Sequence, residues 1–201
     1  MKIIKMFLRY GIMKRFKGGI KLCLVLTFKC NLKCPYCTVD IPIGERPDIK
    51  EKSIDEWKNF IKTFPLKIRE FRITGGSPEM YPYFSELINW LLDQGYFVMV
   101  YTNLLHLNKL QQLRKTYRLF LGSTYHHCSS QKQFDKNYQI LKQDYRITVE
   151  EIKDHISKCL PYSKLKNIIV DKDEMKENKE IIRVRPDLTM VTNCYEISNY
   201  K

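Results

Sequence analysis

The sequence predicts an α/β fold in the form of a partial (β/α)6 barrel. Strand-like apolar segments alternate with segments that repeat apolar residues at helical spacing, which is typical of a parallel sheet with crossover helices. Six strand units lie between residues 21 and 170, whereas a closed eight-unit barrel typically needs about 250 residues. We therefore expect a core domain over 21–170, a basic segment over 1–20 and an extension over 171–201.

The first units of this pattern have clear boundary signals. Leu22 to Phe28 is predicted as the first strand, and 70–74 as the second. Between them, Ser53 and Glu56 stand at the spacing of a capping box that opens a helix. Pro65 is expected to end that helix, because proline cannot continue the hydrogen-bond ladder.

The remaining units follow the same alternation. Helices are predicted over 82–94, 107–116, 131–142 and about 151–160, and strands over 96–101, 118–124, 145–149 and 165–170. Gly95 occupies the position expected of a helix C-terminal glycine. In the extension, a hairpin is predicted over 181–194, turning at Pro186-Asp187.

Composition favours an ordinary soluble domain, with 44% hydrophobic and 28% charged residues. No apolar run approaches the roughly 18 residues of a membrane span, and no secretory signal is recognisable. The 7 cysteines lack the paired spacing of extracellular proteins. We expect a cytoplasmic protein without a transmembrane segment.

The formal net charge of +13 is compatible with an acidic partner such as nucleic acid. The lysines are spread along the chain, with a local concentration between Lys2 and Lys21. A solvated basic face is the favoured interpretation.

The most informative motif is C-x3-C-x2-C, formed by Cys30, Cys34 and Cys37 directly after the first strand. Thiolates are soft ligands that select iron–sulfur clusters or zinc. Three cysteines are one ligand short for a cubane cluster, so one iron would remain open to a substrate or cofactor. An open metal position favours catalysis over a structural role.

Other polar and glycine residues follow the next three strands, and in parallel α/β folds such loops build the site. The candidates for cofactor binding are Gly75, Gly76, Ser77, Pro78, Thr102, Asn103, Ser123 and Tyr125. His126 and Cys128 are candidates for catalysis. Alternation along a strand prevents all of residues 123–127 from pointing inward. Thr102 and Asn103 could instead cap the next helix.

These motifs, in this order, resemble the radical S-adenosylmethionine (radical SAM) superfamily. The resemblance implies a [4Fe–4S] cluster on Cys30, Cys34 and Cys37, with S-adenosylmethionine on its open iron. It further implies that Tyr36 lies near the adenine and that the carbonyl groups of the glycine pair receive the methionine amino group. It also implies an external electron donor such as flavodoxin or ferredoxin.

The chain departs from this family where Ser77 stands, because members often have glutamate there; Glu79 is given no role. Zinc, with His126 or a distant cysteine as fourth ligand, is the main alternative for the cysteine motif. Cys23 and Cys159 are predicted as apolar core residues. Cys128 or Cys194 could serve as a hydrogen donor or extra ligand.

For function, the resemblance implies that a 5′-deoxyadenosyl radical removes hydrogen from a peptide, a protein or a small metabolite. Two alternatives within the family are nucleotide or nucleic-acid modification, including deazapurine synthesis, and activation of a glycyl-radical enzyme. An alternative of another class is a non-catalytic iron–sulfur protein that senses redox state.

Overall fold

The computed structural model describes residues 19–34, 37, 50–126, 128–151, 181–186, 188 and 190–191. Within these described residues, seven strands form one sheet. They are β1 Ile20–Val25, β2 Ile68–Thr74, β3 Phe97–Thr102, β4 Leu119–Tyr125, β5 Arg146–Glu151, β6 Ile181–Val184 and β7 Met190–Val191.

The strand order is β5-β4-β3-β2-β1-β6-β7. The first six strands in this order are parallel to their neighbours, and β7 runs antiparallel to β6. The sheet is not closed by any pairing among the described residues. The prediction of an α/β fold with an open, six-stranded parallel barrel is confirmed.

Two of the predictions concern the C-terminal part of the sheet. The predicted hairpin is present as β6 and β7, with the Leu188 amide donating to the Arg185 carbonyl across the turn. Its first strand also pairs in parallel with β1, so Ile181–Val184 is the sixth parallel strand of the sheet. The strand predicted over 165–170 lies outside the described residues, and the boundary at residue 170 stays a prediction.

Four α-helices connect these strands in the described part of the chain. They are α1 Ile54–Lys62, α2 Phe84–Asp93, α3 Leu107–Leu110 and α4 Gln131–Leu141, with a 3-10 turn at Pro78–Met80. The predicted capping box opens α1, where Ser53 Oγ accepts from the Glu56 amide and the Glu56 carboxylate accepts from the Ser53 amide. Helix α3 is shorter than predicted, and Glu151 ends β5 instead of starting a helix.

The two faces of the sheet differ in chemistry. Helices cover one face, which we call the helix-covered face, and its strand residues join the main hydrophobic core. They are Leu22, Leu24, Phe71, Ile73, Val98, Val100, Leu119, Leu121 and Val184. Side chains alternate along each strand, so the opposite face carries a different set, and we call it the polar face. Its residues include Lys21, Cys23, Glu70, Arg72, Thr74, Met99, Tyr101, Gly122 and Arg183.

Cys23 corrects one expectation. Its burial was predicted and is confirmed, since the side chain is 7% exposed. Its surroundings are not the apolar core, because its neighbours across the sheet are Arg72 on β2 and Arg183 on β6.

In the described residues, no helix is both long enough and apolar enough to cross a membrane.

Candidate functional site

The motif cysteines lie in the loop that leaves the carboxyl end of β1. Cys30 and Cys34 are partly buried and Cys37 is exposed. The Cys30 sulfur accepts a hydrogen bond from the Leu32 amide at 3.4 Å, and the Cys37 amide donates to the Cys34 carbonyl at 3.1 Å. These two hydrogen bonds hold the backbone in a turn at Cys30 and at Cys34, so the three motif cysteines share one short loop.

The glycine pair after β2 is bonded to the start of this cysteine loop. The Gly76 amide donates to the Thr27 carbonyl at 2.9 Å, and the Ser77 amide donates to the Lys29 carbonyl at 2.8 Å. A β-carbon built on Gly75 would lie 2.4 Å from the Thr27 oxygen, and one on Gly76 would lie 2.3 Å from the Lys29 oxygen. Both positions require glycine because two backbone segments approach each other there.

Ser77 belongs to a buried hydrogen-bond cluster that the sequence did not reveal. Its hydroxyl donates to Glu79 Oε2 at 2.9 Å, and the Thr102 hydroxyl donates to Glu79 Oε1. Glu79, to which the sequence assigned no role, is 2% exposed. Its carboxyl group ties the glycine loop after β2 to the end of β3.

Burial raises the pKa of Glu79 above its ordinary value of 4.5, although the hydroxyl donors, its own backbone and nearby His106 oppose this effect. The signal that could have found Glu79 is a carboxylate directly after Pro78, at the opening of a turn between two apolar strands. Such a residue is normally solvated, and only its tertiary neighbours show otherwise.

Thr102 and Asn103 shape the loop after β3 and do not cap α3, whose N-cap residue is His106. The Thr102 hydroxyl accepts from the Leu104 amide at 2.9 Å. Asn103 donates from Nδ2 to Asn31 Oδ1 in the cysteine loop at 2.8 Å. Asn103 therefore joins a second strand end to the cysteine loop.

The end of β4 places its two cofactor candidates on the helix-covered side. Ser123 is 2% exposed, and its hydroxyl has no hydrogen-bond partner among the described residues. The Tyr125 ring packs edge-on against Phe134 of α4, with centroids 5.2 Å apart. Cofactor contact by either residue stays a prediction.

The residues after β4 reach the cysteine loop directly. Cys128 Sγ lies 3.3 Å from Cys34 Sγ, and His126 Nδ1 lies 3.5 Å from the same sulfur. Ser129 closes the turn by donating from Oγ to the His126 carbonyl at 2.6 Å. The structure thus brings both catalytic candidates next to a predicted cluster ligand.

Burial is the main cause of a raised pKa at both Cys30 and Cys34. The neighbouring thiols raise these pKa values further, because several thiolates close together repel one another. Thiols clustered in this way favour a bound metal, whose positive charge removes their protons. Tyr36, His127, Cys159 and Cys194 lie outside the described residues.

A model of the radical SAM superfamily matches residues 24–184. The chain belongs to the radical SAM superfamily. The matched range begins in β1 and ends with β6, so it includes the cysteine loop and the glycine loop. The predicted family is confirmed, and with it the cofactors that radical SAM enzymes use, a [4Fe–4S] cluster and S-adenosylmethionine.

Curated relatives match part of this radical SAM domain. One, named as a glycyl-radical enzyme activating enzyme of Methanocaldococcus jannaschii, is 36% identical over 81 residues, or 39% of this chain and 30% of that protein. The 7-carboxy-7-deazaguanine synthase of Haemophilus influenzae is 32% identical over 88 residues, or 44% of this chain and 38% of the relative. The matched stretches therefore span less than half of each relative.

Solved structures share the fold. BtrN in complex with AdoMet and 2-DOIA aligns with a TM-score of 0.58 at 13% identity, over 90% of this chain and 75% of BtrN. Streptococcus suis SuiB bound to the precursor peptide SuiA aligns with a TM-score of 0.55 at 10% identity, over 100% of this chain and 64% of SuiB. At these identities the likeness shows the partial-barrel fold.

The site residues fit the family's cluster better than a single metal ion. Within the described residues, no three His, Cys, Asp or Glu side chains converge on one metal-ion position, as a tetrahedral zinc site requires. A cubane cluster separates its ligands, because each thiolate binds a different iron. Three thiols on one loop, with Cys37 near enough to raise the pKa of Cys30 and Cys34, suit that arrangement.

Proposed function

We propose that this radical SAM chain is an enzyme that removes hydrogen from a peptide, protein or small-metabolite substrate. Cys30, Cys34 and Cys37 hold the cluster, and the loop from Gly75 to Pro78 receives S-adenosylmethionine. A bound and reduced cluster would supply the one electron needed to cleave the sulfonium into methionine and a 5′-deoxyadenosyl radical. The electron comes from an external donor such as flavodoxin or ferredoxin.

One observation carries this proposal: the cysteine loop and the glycine loop are joined by two backbone hydrogen bonds, from Gly76 to Thr27 and from Ser77 to Lys29. A cofactor that spans both loops needs them in a fixed register, since even small misplacement slows such chemistry. The glycine pair permits this contact because any side chain would collide with the facing carbonyl groups. The chain thus supplies position, while the cofactors supply the chemistry.

A direct test is anaerobic reconstitution with iron, sulfide and a strong reductant, followed by chromatography of the products. We expect the chain to hold about four iron atoms and to form 5′-deoxyadenosine from S-adenosylmethionine. Cys34→Ala should lose both properties, whereas Cys23→Ala, the same change at a buried thiol outside the motif, should retain its iron. Fully reconstituted protein that forms no 5′-deoxyadenosine would be a redox-sensing protein and not an enzyme.

A second candidate is nucleotide or nucleic-acid modification. It is favoured by the partial match to a deazaguanine synthase and by the net charge of +13. Binding of an RNA oligomer should then weaken steeply as salt increases, because released counterions drive phosphate recognition. Binding that does not respond to salt would remove nucleic acid from consideration.

A further inference from the structure

Cys128 has no place in the cysteine motif, yet its sulfur lies against a motif sulfur. Cys128 Sγ and Cys34 Sγ are 3.3 Å apart, although the two residues are 94 positions apart along the chain. A disulfide bond is about 2 Å long, so small rotations of the two side chains would bring the sulfurs to bonding distance. The fold therefore holds two thiols in position to react with each other.

Hydrogen bonds fix the backbone on the Cys128 side of this contact. The Ser129 amide donates to the His126 carbonyl at 2.8 Å, and the Ser129 hydroxyl donates to the same carbonyl at 2.6 Å. Ser130 then caps α4, because its hydroxyl accepts from the Gln133 amide. Cys128 thus lies between the end of β4 and the start of α4, in a turn that hydrogen bonds close.

The Cys34 side of the contact is held by the neighbouring loops. The Cys37 amide donates to the Cys34 carbonyl at 3.1 Å. Asn103, which follows β3, donates to Asn31 at 2.8 Å and so ties the cysteine loop to the strand beside β4. Both cysteines are therefore placed by hydrogen-bonded loops at the same end of the sheet.

The two thiols differ in their access to solvent. Cys128 is exposed, whereas Cys34 is partly buried. Cysteines that react reversibly with oxidants are typically accessible to solvent and stand beside a second thiol that resolves the first product. Cys128 has both properties, while Cys23, the other described cysteine outside the motif, is buried within the sheet.

We propose that Cys128 is a modification site that protects Cys34: a peroxide links the two sulfurs in a reversible disulfide when the chain carries no cluster. The motif thiol is then capped until a reductant frees it for a new cluster. This inference rests on the proposed function, because it concerns Cys34 as a ligand of the cluster that this function needs.

The chemistry balances with hydrogen peroxide as the oxidant. Peroxide oxidises the exposed Cys128 thiol to a sulfenic acid and releases one water. The Cys34 thiol then attacks that sulfur, so the S–S bond forms, the S–O bond breaks and a second water leaves. Two electrons have passed from the two thiols to the peroxide. Without Cys128, further peroxide converts a Cys34 sulfenic acid to the sulfinic acid, which thiol reductants do not restore.

The test treats the full chain, prepared without iron under anaerobic conditions, with stoichiometric hydrogen peroxide. One half of each sample is digested with trypsin in the absence of a reductant and analysed by mass spectrometry. Trypsin cleaves after Lys33 and Lys132, which places Cys34 and Cys128 on separate peptides, and fragmentation of a linked pair identifies the bonded sulfurs. The other half is reduced with dithiothreitol and then reconstituted with iron and sulfide.

We expect the treated wild type to yield peptides linked through Cys34 and Cys128, and reduction to restore the iron content of the untreated chain. Treated Cys128→Ala should contain several times more Cys34 sulfinic acid than the wild type, and should bind less iron after reduction. Cys23→Ala is the matched control and should behave like the wild type, because it removes a buried thiol outside the motif.

Two kinds of result would overturn this role of Cys128. One is that peroxide leaves Cys34 and Cys128 unlinked, or links Cys34 to Cys30 or Cys37 instead. The other is that treated Cys128→Ala keeps as much reducible Cys34 as the wild type.

Failure of the proposed function gives a different result. A chain that binds iron and yields the linked peptides, yet forms no 5′-deoxyadenosine, would overturn the enzyme proposal and support the role of Cys128. Normal 5′-deoxyadenosine formation without linked peptides after peroxide would overturn only the role of Cys128.

Discussion

The two faces of the sheet are built by the same strands but carry different side-chain chemistry. On the helix-covered face, Phe71 and Val100 are fully buried under the helices. On the polar face, their sequence neighbours Arg72 and Tyr101 are partly exposed and present charge and an aromatic ring. Alternation along a strand allows one segment to supply both stability and a binding surface. Substitutions on the two faces are therefore expected to differ in their effect on stability.

The largest expected effect is on the helix-covered face. Phe71→Ala should lower the free energy of unfolding by about 3–5 kcal/mol, because it leaves a cavity beneath the helices. Phe97→Ala is the matched control, since Phe97 is 44% exposed, and it should cost about 1 kcal/mol or less. Urea denaturation measures both values. Equal losses of unfolding free energy in the two variants would show that the helix-covered face contributes no more to stability than the polar face.

A second test addresses the contact between the two cofactor loops. Gly76→Ala places a methyl group against the Lys29 carbonyl, so the loops must separate, and we expect S-adenosylmethionine affinity to fall at least tenfold. Gly95→Ala is the control, because a β-carbon there meets nothing within 4 Å although φ is +87°. It should cost about 1 kcal/mol of stability and leave the affinity unchanged. Equilibrium dialysis measures the affinity, and equal affinity in both variants would show that loop contact is unimportant.

The third test uses pH to examine Glu79, whose carboxyl group joins the glycine loop to the end of β3. Its pKa is raised in the folded state by burial, so the folded chain holds this proton more tightly than the unfolded chain. Its contribution to stability is therefore present below pH 4.5 and is lost as pH rises through the folded-state pKa.

Glu79→Gln removes this titration while it keeps groups that can bond to the hydroxyls of Ser77 and Thr102. We expect the difference in unfolding free energy between wild type and variant to change with pH above 4.5, in favour of the variant. Chemical denaturation at several pH values provides the comparison. A difference that is constant with pH would show that Glu79 does not titrate in this way.

The smallest expected effect concerns Cys128. Its sulfur is 3.3 Å from that of Cys34, which is too close for the two thiols to bind separate irons of a cubane. Cys128→Ala should therefore retain the iron content of the wild type, in contrast to Cys34→Ala. Iron analysis and electron paramagnetic resonance check this. A loss of iron equal to that of Cys34→Ala would identify Cys128 as a ligand.

Local patterns were sufficient to predict most of the described fold. The capping box at Ser53 and Glu56 specified the start of α1, because its two hydrogen bonds involve only neighbouring residues. The strand segments were predictable from apolar runs. The length of α3 was not: the helix ends at Leu110, because the extent of a short helix depends more on tertiary packing than on local propensity.

The site was predictable where a motif demands a particular residue type. The cysteine motif and the glycine pair were both found from the sequence, and the structure brings their loops into contact. The structure adds a reason for the glycines, because they permit backbone contact with Thr27 and Lys29. Their role toward the methionine group stays a prediction.

The sequence by itself determined the family, the cofactor type and the alternation that yields a parallel sheet, because each depends on residue types at short spacing. Tertiary structure alone decided that Glu79 is buried, that Cys128 meets Cys34, and that β6 completes the parallel sheet beside β1. It also decided that Cys23 lies between two arginines instead of in the apolar core. These features depend on register and on contacts between distant strand ends, which no local pattern specifies.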